Sequence, residues 1–100
     1  MTPEEARTKL EEFRVVIDQI DRRIVALLNE RTAIVQCIGQ VKRESQMAVY
    51  EPRREDQVFA NIADANRGPI GHEAVRRIFE RIIDEMRGIQ RARMQDGEVK

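Results

Sequence analysis

Apolar side chains recur along the first part of the chain at Leu10, Phe13, Ile17, Ile20, Ile24, Leu27, Ile34, Ile38 and Val41. The intervals alternate between three and four residues, the heptad spacing of a helix seam, and one charged residue, Arg31, sits where the series calls for an aliphatic side chain. Thr2, Pro3 and Glu5 supply a start signal: a hydroxyl cap, a proline at the first helical position and a carboxylate three residues after the cap. No further proline interrupts the span from residue 3 to residue 44, and Gly39 is its only glycine, so the pattern predicts one continuous helix. At 1.5 Å per residue such a helix is about 60 Å long, whereas a compact domain of this size has a radius of gyration of about 13 Å. Much of it is therefore expected to find its cover on another chain.

Residues 45–50, Ser-Gln-Met-Ala-Val-Tyr, read as a connection. Pro52 opens a second helix that carries Val58, Phe59 and Ile62 and runs to about Asn66, where Arg67-Gly68-Pro69-Ile70-Gly71 forms a breaker cluster. A third helix is expected from about His72 into the nineties, with Val75, Ile78, Phe79, Ile82, Ile83, Met86 and Ile89 on one side. The polar tail, residues 96–100, is expected to fray. No strand pattern or internal repeat competes, so the expected fold is all-α: three helices of very unequal length in a single domain over residues 1–100, with its core in 5–95, and oligomeric.

Composition narrows the partners. Lys plus Arg and Asp plus Glu are 18 each, so the formal net charge is zero and no long-range field draws the chain to nucleic acid or to an anionic membrane. The opening segment is acidic where a secretory signal is basic, and no apolar stretch reaches even half of a membrane span, so the cytoplasm is the expected compartment. Cys37 has no disulfide mate and His72 no second histidine, which gives little support to a metal site. Neither a framed nucleophile nor a nucleotide-binding loop appears, and no cofactor is expected.

Polar residues on the apolar stripes carry the chemistry instead. Arg31 lies seven residues after Ile24 and seven before Ile38, so it points into the seam, where it either snorkels, meets an acidic residue of a neighbouring helix or binds an anion. Lys42, eleven residues on, faces within about 20° of Arg31 on an ideal helix, roughly 16 Å along the axis. Alone it reads as a solvated charge at a helix end; together the two cations can hold one small dianion. Gln90 stands seven residues after Ile83 and four after Met86, and Glu55 four before Phe59 and seven before Ile62, so each further helix also presents a polar residue from its apolar side. Arg54, beside Glu55, reads as a surface residue or a second anion contact. A cation pair, an amide and a carboxylate converging inside a bundle imply a small ligand that is anionic and hydroxylated.

These residues and their spacing resemble the all-helical class of chorismate mutases. The likeness rests on Leu-Glu-Glu-Phe-Arg-Val-Val-Ile-Asp-Gln-Ile-Asp (10–21), Ala-Leu-Leu-Asn-Glu-Arg (26–31), Ile-Gly-Gln-Val-Lys (38–42), Val-Tyr-Glu-Pro-Arg-Arg-Glu (49–55), and Ile-Phe-Glu-Arg-Ile-Ile-Asp-Glu-Met (78–86) followed by Gln90. The resemblance implies an intertwined helical homodimer that isomerises chorismate to prephenate in phenylalanine and tyrosine biosynthesis. It also implies that Arg14 and Arg31 bind the two substrate carboxylates, Lys42 and Gln90 hydrogen-bond the ether oxygen, and Glu55 holds the ring hydroxyl, with Arg54 and the backbone near Glu51 completing that wall. In the family Arg14 comes from the other subunit. The chain's own spacing agrees, since 17 residues put Arg14 about 25 Å from Arg31 along one helix, too far to grip one small molecule.

Two positions depart from the family pattern. Aspartate often stands where this chain has Glu51, so the longer side chain is expected either to shift the hydroxyl contact or to serve as a helix cap. Serine is found in place of Met86, and a thioether cannot donate that hydroxyl's hydrogen bond. An isochorismate-pyruvate lyase on the same scaffold needs a similarly basic pocket, although the spacing from Lys42 to Pro52 and the presence of Glu55 and Gln90 look more like the mutase. From another class, a non-catalytic dimerisation module whose seam tolerates Arg31 is the alternative.

Overall fold

A computed structural model describes residues 1–96. It contains three α-helices, α1 (Pro3–Glu44), α2 (Pro52–Ala65) and α3 (His72–Asp96), close to the spans the sequence predicts. The tail expected to fray lies, from residue 97 on, outside the described residues. The chain divides into two units, one of Met1–Ala33 and one from Ile34 onward.

The first unit is the N-terminal part of α1. Its start is the expected reciprocal cap: Glu5 N–H donates to the Thr2 hydroxyl at 3.1 Å, and Thr2 N–H donates to the Glu5 carboxylate at 3.3 Å. No side chain of this unit is buried, and its seam is open, with Phe13 66% exposed and Leu10, Ile17, Ile24 and Leu27 also exposed; only Ile20 of the series is half-buried. Apolar surface of this extent along one helix face is what an association surface looks like.

The second unit holds the end of α1, α2 and α3. The α1 C-terminus closes with a double hydrogen bond: Met47 N–H donates to the Lys42 carbonyl at 2.8 Å and Gln46 N–H to the Arg43 carbonyl at 3.3 Å, with Gln46 in the left-handed region at φ 56°. This cap turns the chain back immediately after Lys42. Pro52 then begins α2 at the position where its missing N–H costs nothing. Between α2 and α3, Asn66 organises the turn: its side chain accepts from Gly68 N–H and donates to the Ile70 carbonyl, both at 3.0 Å, and Gly68 supplies a φ of +73°. The α2 and α3 helices pack antiparallel, with the Arg76 guanidinium 4.0 Å from the centroid of the Phe59 ring.

The buried apolar side chains of the described residues are Val35, Ile83 and Met86. Sequence periodicity placed Ile34, Ile38 and Val41 on the same stripe as the rest of the seam, yet these are exposed, Ile34 to 62%. The face of α1 that packs within its unit is Val35, Gly39 and Lys42, spaced four and three residues apart and each turned about 100° from the apolar residue before it, Ile34, Ile38 and Val41. Gly39 allows this face to meet α3 closely: a Cβ there stands 3.2 Å from the Gln90 carbonyl oxygen and 3.3 Å from Gln90 Cγ. The end of α1 thus has an inner face against α3 and an exposed apolar face of Ile34, Ile38 and Val41.

Candidate functional site

Two polar side chains are buried among the described residues, Lys42 at 6% exposure and Gln90 at 9%. Both were candidates from the sequence. A buried ammonium must be paired, and the turn after α1 provides the partners by bringing residues 49–51 back over it. Lys42 Nζ donates to the Val49 carbonyl at 3.1 Å and forms an ion pair with the half-exposed Glu51 carboxylate. An ammonium has three donors, and among the described residues these contacts account for two of them. Glu51 occupies the N-cap position of α2 without capping it through its side chain. Of the two roles the sequence offered for Glu51, the side-chain cap does not form; the carboxylate reaches Lys42 instead.

Gln90 is held from both sides. Ile83 and Met86, on its own face of α3, are buried with it, and the Gly39 backbone lies against its Cγ. Its Oε1 is buried with no hydrogen-bond partner among the described residues. Leaving a buried polar atom unsatisfied costs about 1–3 kcal/mol, so the position is unfavourable unless a ligand completes it. A half-turn of the amide exchanges oxygen for NH₂, so the group serves an acceptor or a donor equally well.

Glu55 lies one turn after Glu51 on α2 and is half-buried, as its place on the apolar side predicts. Its partner was not foreseen. Arg87 of α3 grips both oxygens, with Nε donating to Oε2 and Nη2 to Oε1, each at 2.7 Å. The hydrogen bonds from Arg87 hold the Glu55 carboxyl below its ordinary pKa, against the opposing effect of burial, and the same bonds raise the pKa of Arg87. In the sequence Arg87 reads as one more charge on a helix rich in arginine, and its mate is 32 residues away. The one available signal was its position four residues after Ile83, on the side of α3 that carries Gln90 three residues later. Arg54 is exposed and extends along α2, its Nη1 reaching Gln57 Oε1 at 3.5 Å.

Arg14 and Arg31 belong to the first unit. Arg14 is exposed and paired with Glu11 at 2.9 Å; Arg31 is half-buried. Standing 17 residues apart on one helix, they are not brought together within the chain. Met86 is buried and apolar, a packing residue beside Gln90. No cluster of three or more metal-ligating side chains occurs among the described residues, nor any helix long and apolar enough to cross a membrane.

In the second unit the polar groups form a circuit. Lys42 of α1 binds Glu51, Glu55 follows one turn along α2, Arg87 of α3 binds Glu55, Gln90 follows three residues along α3, and Gly39 of α1 lies against Gln90. The circuit contains a cationic donor, an amide and an ionised acceptor.

Residues 13–91 match the family model described as chorismate mutase type II. The chain is 41% identical over 78 residues to the bifunctional chorismate mutase/prephenate dehydratase of Neisseria gonorrhoeae, a match that covers 78% of this chain and 21% of that protein. The chain thus spans about a fifth of the length of the bifunctional relatives it matches. It is 25% identical to the chorismate mutase of Methanocaldococcus jannaschii over 93 residues, covering 92% of this chain and 94% of that one. Among solved structures, form II of chorismate mutase from Thermus thermophilus superposes with a TM-score of 0.81 at 30% identity, over 83% of this chain and 94% of that chain. The match extends from the seam of α1 through Lys42, Glu55 and Gln90, and the chain belongs to the chorismate mutase type II family.

Proposed function

We propose that this chain is an isomerase, a chorismate mutase that converts chorismate to prephenate by a [3,3]-sigmatropic rearrangement in phenylalanine and tyrosine biosynthesis. The observation that carries the reading is the pair of buried polar groups, an ammonium and an amide with an unsatisfied oxygen, inside a helical bundle of this family. In this reaction one carbon–oxygen bond breaks as one carbon–carbon bond forms, with no covalent intermediate and no obligatory proton transfer. The protein's task is to hold the reactive chair-like conformer and to stabilise charge developing on the ether oxygen. Lys42 supplies the charged donor to that oxygen, and Gln90, with its NH₂ turned inward, supplies a donor that does not titrate. Glu55 accepts from the ring hydroxyl, with Arg54 and the backbone at Glu51 beside it, and Arg14 and Arg31 bind the carboxylates.

Arg14 is assigned to a second copy of the chain. The open seam of α1 supports a homodimer, and the 17-residue separation from Arg31 requires Arg14 to come from elsewhere if both grip one substrate. The cytoplasm is the proposed compartment, in keeping with a lone unpaired cysteine.

Incubation with chorismate and, separately, with isochorismate, followed by product identification, tests the assignment. Prephenate from chorismate is the expected result. Pyruvate and salicylate from isochorismate, without prephenate from chorismate, make the chain a lyase. No turnover of either, together with a stabilising Arg31→Leu substitution, makes it a dimerisation module.

A further inference from the structure

The Glu55–Arg87 pair links α2 to α3 at the point where the polar circuit passes between them. Arg87 presents the Nε–Nη2 edge of its guanidinium to the carboxylate, its Nη1 lies 3.5 Å from Asp84, and its carbon centre is 5.5 Å from the centroid of the Tyr50 ring. The Nε–Nη2 edge of the guanidinium is committed to Glu55, while Nη1 makes only a longer ion-pair contact with the exposed Asp84, so the strong link Arg87 makes across to α2 is the one to Glu55. A side-on fork uses one lone pair on each carboxylate oxygen and leaves another on each for an incoming hydroxyl. It also fixes the terminal torsion of glutamate, which is otherwise broad and two-fold.

We infer that Arg87 is a positioning residue for the rearrangement: its fork orients the Glu55 carboxylate as a fixed acceptor for the substrate's ring hydroxyl and cancels its charge toward a dianionic ligand. The inference rests on the proposed mutase reading and adds to it a residue that sequence periodicity did not single out. The charge effect has a definite direction. An unneutralised Glu55 beside a dianion opposes binding, whereas the Arg87 pair makes that wall neutral while keeping its acceptor oxygens. The depressed pKa of Glu55 has the same cause and keeps the carboxyl in its accepting form. Lysine can cancel the charge but cannot fix the carboxylate's plane, since a point charge reaches one oxygen at a time.

The rival role for Arg87 is a clasp between helices with no bearing on substrate, and steady-state kinetics on the full chain separate the two. Turnover of chorismate by the unaltered protein is measured first; its absence overturns the mutase reading itself and the positioning role with it. Given turnover, Arg87→Met should raise KM for chorismate about tenfold while kcat stays within about threefold, the signature of lost binding common to ground and transition states. Arg87→Lys should recover only part of the loss. In a Glu55→Gln background, Arg87→Met should change KM by less than about twofold, because residues acting as one unit are not additive. An unchanged KM with a lowered melting temperature, or an undiminished tenfold effect in the Glu55→Gln background, overturns the positioning role and leaves the mutase assignment intact. Should Arg87→Met not fold, Arg87→Lys in both backgrounds makes the same comparison.

Discussion

Replacing Lys42 by methionine should separate function from stability. The thioether keeps most of the aliphatic stem and deletes the charge from a site that is 6% exposed. Three terms set the stability change. The Val49 carbonyl loses a donor at 3.1 Å, a loss of about 1 kcal/mol for an ordinary hydrogen bond. Glu51 loses an ion-pair partner, but its side chain is 48% exposed and rehydrates, so this term is at most about 1 kcal/mol. Against both stands the desolvation of a buried ammonium, which is relieved and amounts to several kcal/mol per ion after relaxation. The folded state should therefore change by no more than about 1 kcal/mol in the unfavourable direction, and the change can be stabilising. Turnover should respond quite differently, with kcat for chorismate falling by about 10² or more, the range for deleting a donor to a developing oxyanion. Urea unfolding monitored by helical circular dichroism gives the first quantity, and the loss of chorismate absorbance gives the second. If stability falls by more than about 2 kcal/mol, the Lys42–Glu51 pair is a structural support and the desolvation argument fails. If kcat stays within about threefold of the unaltered protein, Lys42 does not touch the reacting atoms.

Gly39→Ala gains about 1 kcal/mol of helix propensity but sets a methyl 3.2 Å from the Gln90 carbonyl oxygen, so α3 must yield by a few tenths of an ångström. Thermal unfolding should change little while kcat falls roughly three- to tenfold through the displaced amide; an unchanged kcat removes Gln90 from the rate-determining geometry. Because Glu55 has a lower pKa folded than unfolded, the unfolded chain binds its proton first on acidification. The stability this group contributes is complete at neutral pH and is lost as pH falls through the depressed value, so Glu55→Gln should flatten the curve of stability against pH below about pH 5; parallel curves refute the linkage. Mixing inactive Arg14→Ala and Arg31→Ala chains under exchange should restore part of the activity, since one site of the heterodimer keeps both arginines, and heterodimers that stay inactive refute the assignment of Arg14 to the partner.

Within each helix the candidate site was legible. Gln90 could be picked out because an amide at i+4 and i+7 from apolar residues departs from a pattern set by the helix's own geometry, and Lys42 because it faces within about 20° of Arg31; both are buried. Glu55 followed from the same argument as Gln90. Arg87 did not, because a charged residue among other charged residues violates no local rule, and what distinguishes it is a carboxylate 32 positions earlier. Glu51 was ambiguous for a similar reason: an acid before Pro52 reads as a cap, and only the reversal of the chain after Gln46 shows that Lys42 is within its reach.

The amino-acid sequence by itself determined the three helices, their ends and the seam along α1, since caps, prolines and a 3.6-residue period act between neighbours. Which face of the end of α1 turns inward was decided by tertiary structure. The apolar Ile34, Ile38 and Val41 stay open, while Val35, Gly39 and Lys42 pack, because α3 approaches where a glycine lets its backbone come close. The ion pairs that order the site were decided there as well. Periodicity fixes the direction of a side chain about its own axis, whereas contact between helices depends on their crossing and rotation, which are set by the packing of all of them together.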